Sequence, residues 1–209
     1  MQDFLNKDLQ QLVILGAGFD SRAYRFDRLK DQVKVFEVDH PATQAEKLAK
    51  LKAIFMTIPK HVTYVPVDFN AQTLEERLPE SGYDPTSKTL FIWQGVTIYL
   101  TPKAVDDTLR FVVQFSVPGS AIVFDYVFRK VLDGVQKHNE ISSMQRYRFM
   151  TGEDLTFGIA EGAIETFLKE RDFHQIRDVN ANALKKAYFT GSNAGRKIAS
   201  GYGIVVAVT

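Results

Sequence analysis

The stretch QLVILGAGFDSRAYR, from Gln11 to Arg25, decides the fold. Its first five residues, Gln11 to Leu15, form a short apolar run of the kind that fills a strand buried on both faces of a parallel sheet. The run stops at Gly16, Ala17 and Gly18, where missing side chains let the backbone turn and pass close to a ligand. Asp20 follows as a helix cap, and Ala23, Phe26 and Leu29 recur at helical spacing, with Lys30 in the last turn. A strand, a glycine turn and a helix in that order offer the free amides of a helix start to whatever lies over the turn.

The same alternation continues outward. Val33 to Val38 reads as a second strand ending at Asp39, with Pro41 suited to open the next helix. From Ala42 to Phe55, Ala45, Leu48, Leu51 and Ile54 or Phe55 share one helical face, with the lysines and Glu46 opposite. A third strand spans Val62 to Val67 and ends at Asp68, and a fourth spans Leu90 to Trp93. Thr101 and Pro102 then cap and open a helix to about Phe115, and Pro118 and Gly119 turn into a fifth strand, Ala121 to Phe128. Strands alternating with helical patterns argue for an α/β domain with a mostly parallel, Rossmann-like sheet.

Beyond residue 128 the pattern changes. Lys130 to Met150 reads as a lid or an irregular helix, and Glu161 to Arg171 as a helix. Gln175 to Val179 and Gly203 to Val208 are expected to be two strands joined by a loop containing Gly191, Gly195 and Gly201, forming an antiparallel edge. Neither an internal repeat nor an interdomain linker interrupts the chain, so residues 1–209 are expected to form a single domain.

Composition excludes several functions. With 26 basic and 25 acidic residues there is no charge bias toward nucleic acid or an anionic membrane. No apolar run approaches the roughly 20 residues that span a bilayer, and the N-terminus lacks a secretory pattern, so a cytoplasmic location is expected. The absence of cysteine removes disulfides, thiolate metal sites and cysteine nucleophiles. His40, His61, His138 and His174 have no metal-ligand spacing, and no metal is expected. No Gly-x-Ser-x-Gly elbow is present for serine hydrolase chemistry.

The candidate binding residues fall at strand ends. Asp39 lies about 20 residues past the glycines, where an acidic group can accept both ribose hydroxyls of an adenosine cofactor. Capping the following helix is its alternative role. In an open parallel sheet the carboxyl ends of neighbouring strands face one crevice, which sets Asp68 beside Asp39. There Asp68 and Phe69 could read an adenine ring, or Asp68 could be a solvated turn residue. Dinucleotide sites continue to a third glycine so that the pyrophosphate can approach, and here that position is Ser21. This disfavours a nicotinamide-dependent oxidoreductase and favours S-adenosyl-L-methionine, which carries no phosphate.

At the fourth strand the segment FIWQGVTIYL, Phe91 to Leu100, makes a resemblance specific. With Ile14 to Arg25, Phe36 to Pro41, Val65 to Phe69 and Ala187 to Gly191, the chain resembles the leucine carboxyl methyltransferase family. The likeness is closest to that family's bacterial branch of S-adenosylmethionine-dependent methyltransferases. The resemblance implies Gly16, Ala17 and Gly18 along the methionine part of the cofactor, Asp39 on the ribose, and Asp68 with Phe69 around the adenine. It also implies a glutamate at the position of Gln94, near the cofactor's amino group, so an uncharged amide here is expected to weaken binding. Helices ahead of the first strand, which cover the site in relatives and supply an arginine, are expected to be missing. Arg22 is expected to lie along the first helix and to be a poor substitute.

Methyl transfer is an in-line displacement in which the protein aligns donor and acceptor, with a base only where the acceptor must lose a proton. O-methylation of a small molecule or a carboxylate is the reaction implied. Tyr99, Asp125 and Tyr126, with Tyr147 and Arg148 from the lid, are the candidate acceptor-side groups. A degenerate binding or scaffold domain without turnover is the non-enzymatic alternative. An uncovered apolar patch would favour a homo-oligomer.

Overall fold

A computed structural model of the chain describes residues 4, 8–69, 71–132 and 155–209. Five parallel strands come first: β1 (Gln11–Leu15), β2 (Lys34–Asp39), β3 (Val62–Pro66), β4 (Thr89–Trp93) and β5 (Ala121–Val127). Each lies within a residue or two of its expected position. With β6 (His174–Asn180) and β7 (Tyr202–Val208) they form one sheet in the order β3-β2-β1-β4-β5-β7-β6. β1 and β4 are central and buried along their whole length; each is apolar after its first residue, and those two residues, Gln11 and Thr89, satisfy each other with a hydrogen bond of 3.0 Å.

The antiparallel ending is present, but β7 lies inside it. β7 pairs with β5 on one side and β6 on the other, antiparallel to both, so β6 is the edge. Its mostly exposed residues, including His174, Gln175, Arg177 and Asp178, suit that position, since charge on an edge discourages further pairing.

The helices differ more from expectation. The first is broken into α1 (Arg22–Arg25) and α2 (Asp27–Asp31) at Phe26, which is extended. Ala23 and Leu29 are both fully buried. Six residues apart, they would point about 120° away from each other on a straight helix of 3.6 residues per turn. The break lets both face the sheet. In α3 (Pro41–Phe55) the buried face is Gln44, Lys47 and Leu51, whereas Ile54 and Phe55 are 69% and 48% exposed. Of the expected apolar stripe only Leu51 is buried, and the helix is rotated away from Ala45, Leu48 and Ile54 or Phe55 for a reason that lies in the site.

A helix not anticipated, α4 (Leu74–Glu80), starts with a complete capping box between Thr73 and Glu76. Thr101 caps α5 (Pro102–Gln114) by accepting the Ala104 N–H at 3.2 Å. After β5 comes α6 (Arg129–Leu132), which begins the expected lid; residues 133–150 of that stretch lie outside the described residues. The helix expected at Glu161 to Arg171 is shorter, α7 (Ile164–Lys169). Between β6 and β7, where a loop was expected, α8 (Ala181–Tyr188) forms with Asn180 capping the Ala183 N–H at 3.0 Å.

The sheet separates two apolar layers. One face holds Phe36, Tyr83, Phe91, Trp93, Phe111 and their neighbours, with Tyr83 and Phe111 rings 5.7 Å apart. The other packs Leu12, Ile14, Val35 and Ile92 against Ala23 and Leu29. Among the described residues no helix is long and apolar enough to cross a membrane.

Candidate functional site

β1 delivers the chain to Gly16, whose φ of 62° suits glycine. Packing requires glycine here as well, because a Cβ would come 2.2 Å from Cγ2 of Val96. Gly18, at φ 44°, is different: a Cβ there would meet nothing nearer than the Gly16 carbonyl at 3.9 Å, so open space lies over the loop. The loop is tied down from β2. The Ala17 N–H donates to the Val38 carbonyl at 3.0 Å, and the Gly18 N–H donates to Oδ2 of Asp39.

Asp39 is thereby fixed at the carboxyl end of β2, its Oδ1 accepting the His40 N–H at 2.6 Å. Its alternative role falls to its neighbour: His40 caps α3, with Nδ1 accepting the Ala42 N–H at 3.3 Å. A carboxylate can accept about four hydrogen bonds, so Asp39 retains capacity for hydroxyl donors. The Asp39 carbonyl also accepts the Val67 N–H at 2.8 Å, joining the end of β3 to that of β2. Asp68 follows at once, with its carbonyl turning the chain through the N–H groups of Ala71 and Gln72, at 3.0 and 2.8 Å. Phe69 packs against the aromatic layer.

Leu15 pairs with Trp93, so Gly16 and Gln94 leave the sheet side by side. Arg22 does not lie along α1 as expected. Its guanidinium turns back to Asp20, with which it forms an ion pair, and to Gln94, whose Oε1 accepts from it at 2.6 Å. The reason is local: Asp20 accepts the Arg22 backbone N–H at 2.7 Å, which brings the two side chains together. Gly16, Gly18, Asp20, Arg22 and Gln94 line a cleft of about 390 Å³.

A buried polar cluster supports this loop from beneath and was not foreseen. Lys47 reaches into the protein, with Nζ 2.6 Å from Glu37 and 2.9 Å from the Asp20 carbonyl, and its side chain is 5% exposed. Tyr24 donates to Glu37 at 2.9 Å and contacts the Tyr64 hydroxyl at 3.2 Å. Burial raises the Glu37 carboxyl above its ordinary range, with Lys47 pulling it back, and burial raises Tyr24 too. This ion pair is what rotates α3. A glutamate inside an otherwise apolar strand, followed ten residues later by lysine on the next helix, was the signal available.

On the far side of β4, Asp125 at the end of β5 accepts the Gly95 N–H on Oδ1 at 2.7 Å, and burial raises its carboxyl. Tyr126 points to the opposite face, where its ring crosses Gly203 to donate to Asp178 at 3.1 Å. That hydroxyl braces β5 to β6 and is not among the groups brought toward Gln94. Tyr99 lies in the 3₁₀ turn Thr97–Tyr99, and Tyr147 and Arg148 lie outside the described residues.

Known proteins share both fold and sequence. Solved structures superpose over 99% of the chain. They include a "putative O-methyltransferase" from Nostoc punctiforme (TM-score 0.63, 8% identity, 54% of that chain) and human N-acetylserotonin methyltransferase with S-adenosylmethionine (TM-score 0.55, 15% identity, 50% of that chain). At such identities the likeness establishes the fold. In sequence, the chain is 36% identical over 181 residues to "Putative S-adenosyl-L-methionine-dependent methyltransferase YktD" of Bacillus subtilis, covering 87% of this chain and 59% of that protein. A similarly named protein of Mycobacterium marinum is 30% identical over 158 residues, covering 75% and 50%. The chain thus spans a half to three fifths of the length of these relatives. The leucine carboxyl methyltransferase profile matches residues 1–113, and the chain belongs to that family.

Proposed function

We propose that the protein is an S-adenosyl-L-methionine-dependent methyltransferase acting on an oxygen of a small-molecule or carboxylate acceptor. The observation that carries this reading is the Asp39 carboxylate held against Gly18 with open space above the loop. That arrangement fits a nucleoside with a close-lying aliphatic tail. Gly16, Ala17 and Gly18 would run along the methionine part, Asp39 would accept from the ribose hydroxyls, and Asp68 with Phe69 would border the adenine. Gln94 would face the ammonium group, and Arg22, ion-paired with Asp20 and hydrogen-bonded to Gln94, would border the same end of the cleft.

When bound, the cofactor supplies a methyl group on a positively charged sulfur. The chain's own contribution is alignment. The amide-tied loop and Asp39 fix one end of the line of transfer, and the apolar surface beside Gln94 borders the other. Ser21 in place of a third glycine speaks against a pyrophosphate-bearing cofactor. The cysteine-free, charge-balanced composition supports a cytoplasmic site of action.

Thermal unfolding with S-adenosylhomocysteine and with NADH, each at about 100 times a micromolar Kd, separates the cofactor classes. A rise of several degrees with S-adenosylhomocysteine alone is expected. A rise with NADH alone would replace this reading with an oxidoreductase.

A further inference from the structure

Two cavities meet at Arg22 and Gln94. One is the cleft over the glycine loop; the other, of about 470 Å³, lies against β4, β5 and β7 and has the same two residues in its wall. Strand alternation builds it. Leu90, Ile92 and Gln94 share one face of the chain through β4, as do Val123 and Asp125 on β5, and Tyr202 and Ile204 on β7. Leu184 of α8 and Ala199 of the following loop line the outer side. Because Trp93 pairs with Phe124, Gln94 and Asp125 stand level at the carboxyl end of the strands, and the wall below them is apolar. Size, apolar lining and polar groups gathered at one point are the features of a small-molecule site, for which about 300–1,000 Å³ is usual.

We propose that this cavity holds the methyl acceptor, and that the acceptor is a compact apolar molecule bearing a hydroxyl group directed at Asp125. The acceptor role and its chemistry rest on the methyltransferase reading; the cavity and the shape and polarity of what it binds do not. A hydroxyl is favoured over a carboxylate by the charges present. Arg22 is already neutralised by Asp20, so a carboxylate acceptor would meet the half-buried Asp125 without a cation to offset the like charge. In the transfer, the acceptor oxygen bonds to the methyl carbon as the carbon–sulfur bond breaks. The bond's electron pair stays on sulfur to give S-adenosylhomocysteine, and the hydroxyl proton passes to the Asp125 carboxylate. Gly95 fixes that carboxylate by donating to Oδ1. Burial makes it a stronger base than an exposed aspartate.

The test uses 2-naphthol, which is small enough to enter the cavity and carries the hydroxyl, with naphthalene as the hydroxyl-free control. Fluorescence titration should give saturable binding of 2-naphthol at one site per chain. Leu184→Trp, which fills the cavity, should weaken it by at least about tenfold while S-adenosylhomocysteine affinity stays within about twofold. Asp125→Ala should weaken 2-naphthol by about fivefold and leave naphthalene unchanged. Unaltered 2-naphthol binding in Leu184→Trp, or equal losses for both probes in Asp125→Ala, overturns the proposal. If circular dichroism shows Leu184→Trp unfolded, Ala199→Phe on the exposed loop replaces it, with the same loss expected and the same contrary result decisive. Binding of 2-naphthol that disappears as the chain dimerises would assign the face to a second copy and also overturn it. Failure of the wild type to bind S-adenosylhomocysteine, with 2-naphthol bound as described, defeats the cofactor reading and leaves the cavity assigned.

Discussion

The two halves of the sheet hold their ligand-facing surfaces by different means. On the β1-β2-β3 side nearly every feature is fixed by a hydrogen bond or an ion pair: Gly18 to Asp39, Asp39 to Val67, Lys47 to Glu37 and to the Asp20 carbonyl. On the β4-β5-β7 side the surface is shaped by apolar side chains around a cavity, with Asp125 and Gln94 as its polar end. A site that always receives the same cofactor gains from preorganised polar groups, which need no rearrangement when it binds. Shape and apolar area tolerate variation, and that suits the half to which the proposed function assigns the acceptor.

This contrast can be broken first at Lys47. Lys47→Ala leaves Glu37 buried without its cation, and a stability loss of about 3–5 kcal/mol is expected by urea denaturation. Replacing both partners, as Glu37→Gln with Lys47→Met, should recover much of that loss. If Lys47→Ala costs as little as a surface substitution, the polar half is not held together by this pair.

Gly16→Ala should cost about 1–3 kcal/mol, combining a left-handed backbone with the contact at Val96. Pairing it with Val96→Ala should relieve the steric part and leave the backbone part, a difference readable in the same denaturation series. Full recovery would mean that the backbone conformation at Gly16 is not constrained.

A smaller effect sharpens the comparison where the halves join. Gln94→Glu adds a negative charge beside Arg22 and is expected to tighten S-adenosylmethionine binding by about threefold, through a more favourable site for the ammonium group. Unchanged or weaker affinity by calorimetry would separate Gln94 from the cofactor.

Asp125 gives a pH signature to the apolar half. Its carboxyl is raised in the folded protein, so the native state keeps a proton that the unfolded chain releases above about pH 3.9. Its contribution to stability is therefore present at low pH and lost as pH rises through the folded value. Asp125→Asn keeps an acceptor for Gly95 and removes that titration. Relative to wild type, the variant should be more favourable at pH 7 than at pH 4, and the comparison cancels the similar titration of Glu37. An offset independent of pH would show that Asp125 is solvated.

What the sequence discloses follows the same division. The five parallel strands, the glycine turn and Asp39 are encoded locally, by apolar runs that stop at glycine or at an acidic residue. Lys47, the break at Phe26 and the turned-back Arg22 depend on partners elsewhere. Lysine reads as a surface residue until Glu37 is known to lie beneath it, and Ala23 and Leu29 read as one helical stripe until both must meet the same sheet. α8 was locally legible, through Asn180 as cap and the ALKKA sequence after it, but the nearby glycines suggested a loop. The cavity beside Gln94 was illegible because it requires β7 to lie between β5 and β6.

The central claim is that Asp39, held by the glycine loop, binds the ribose of S-adenosylmethionine. Calorimetric titration of S-adenosylhomocysteine into the wild type and into Asp39→Ala tests it most directly. The expected result is saturable binding by the wild type and at least about a hundredfold loss in the variant, as fits the removal of a charged acceptor from two hydroxyl donors. Equal affinity in the two proteins, with both folded, would contradict it.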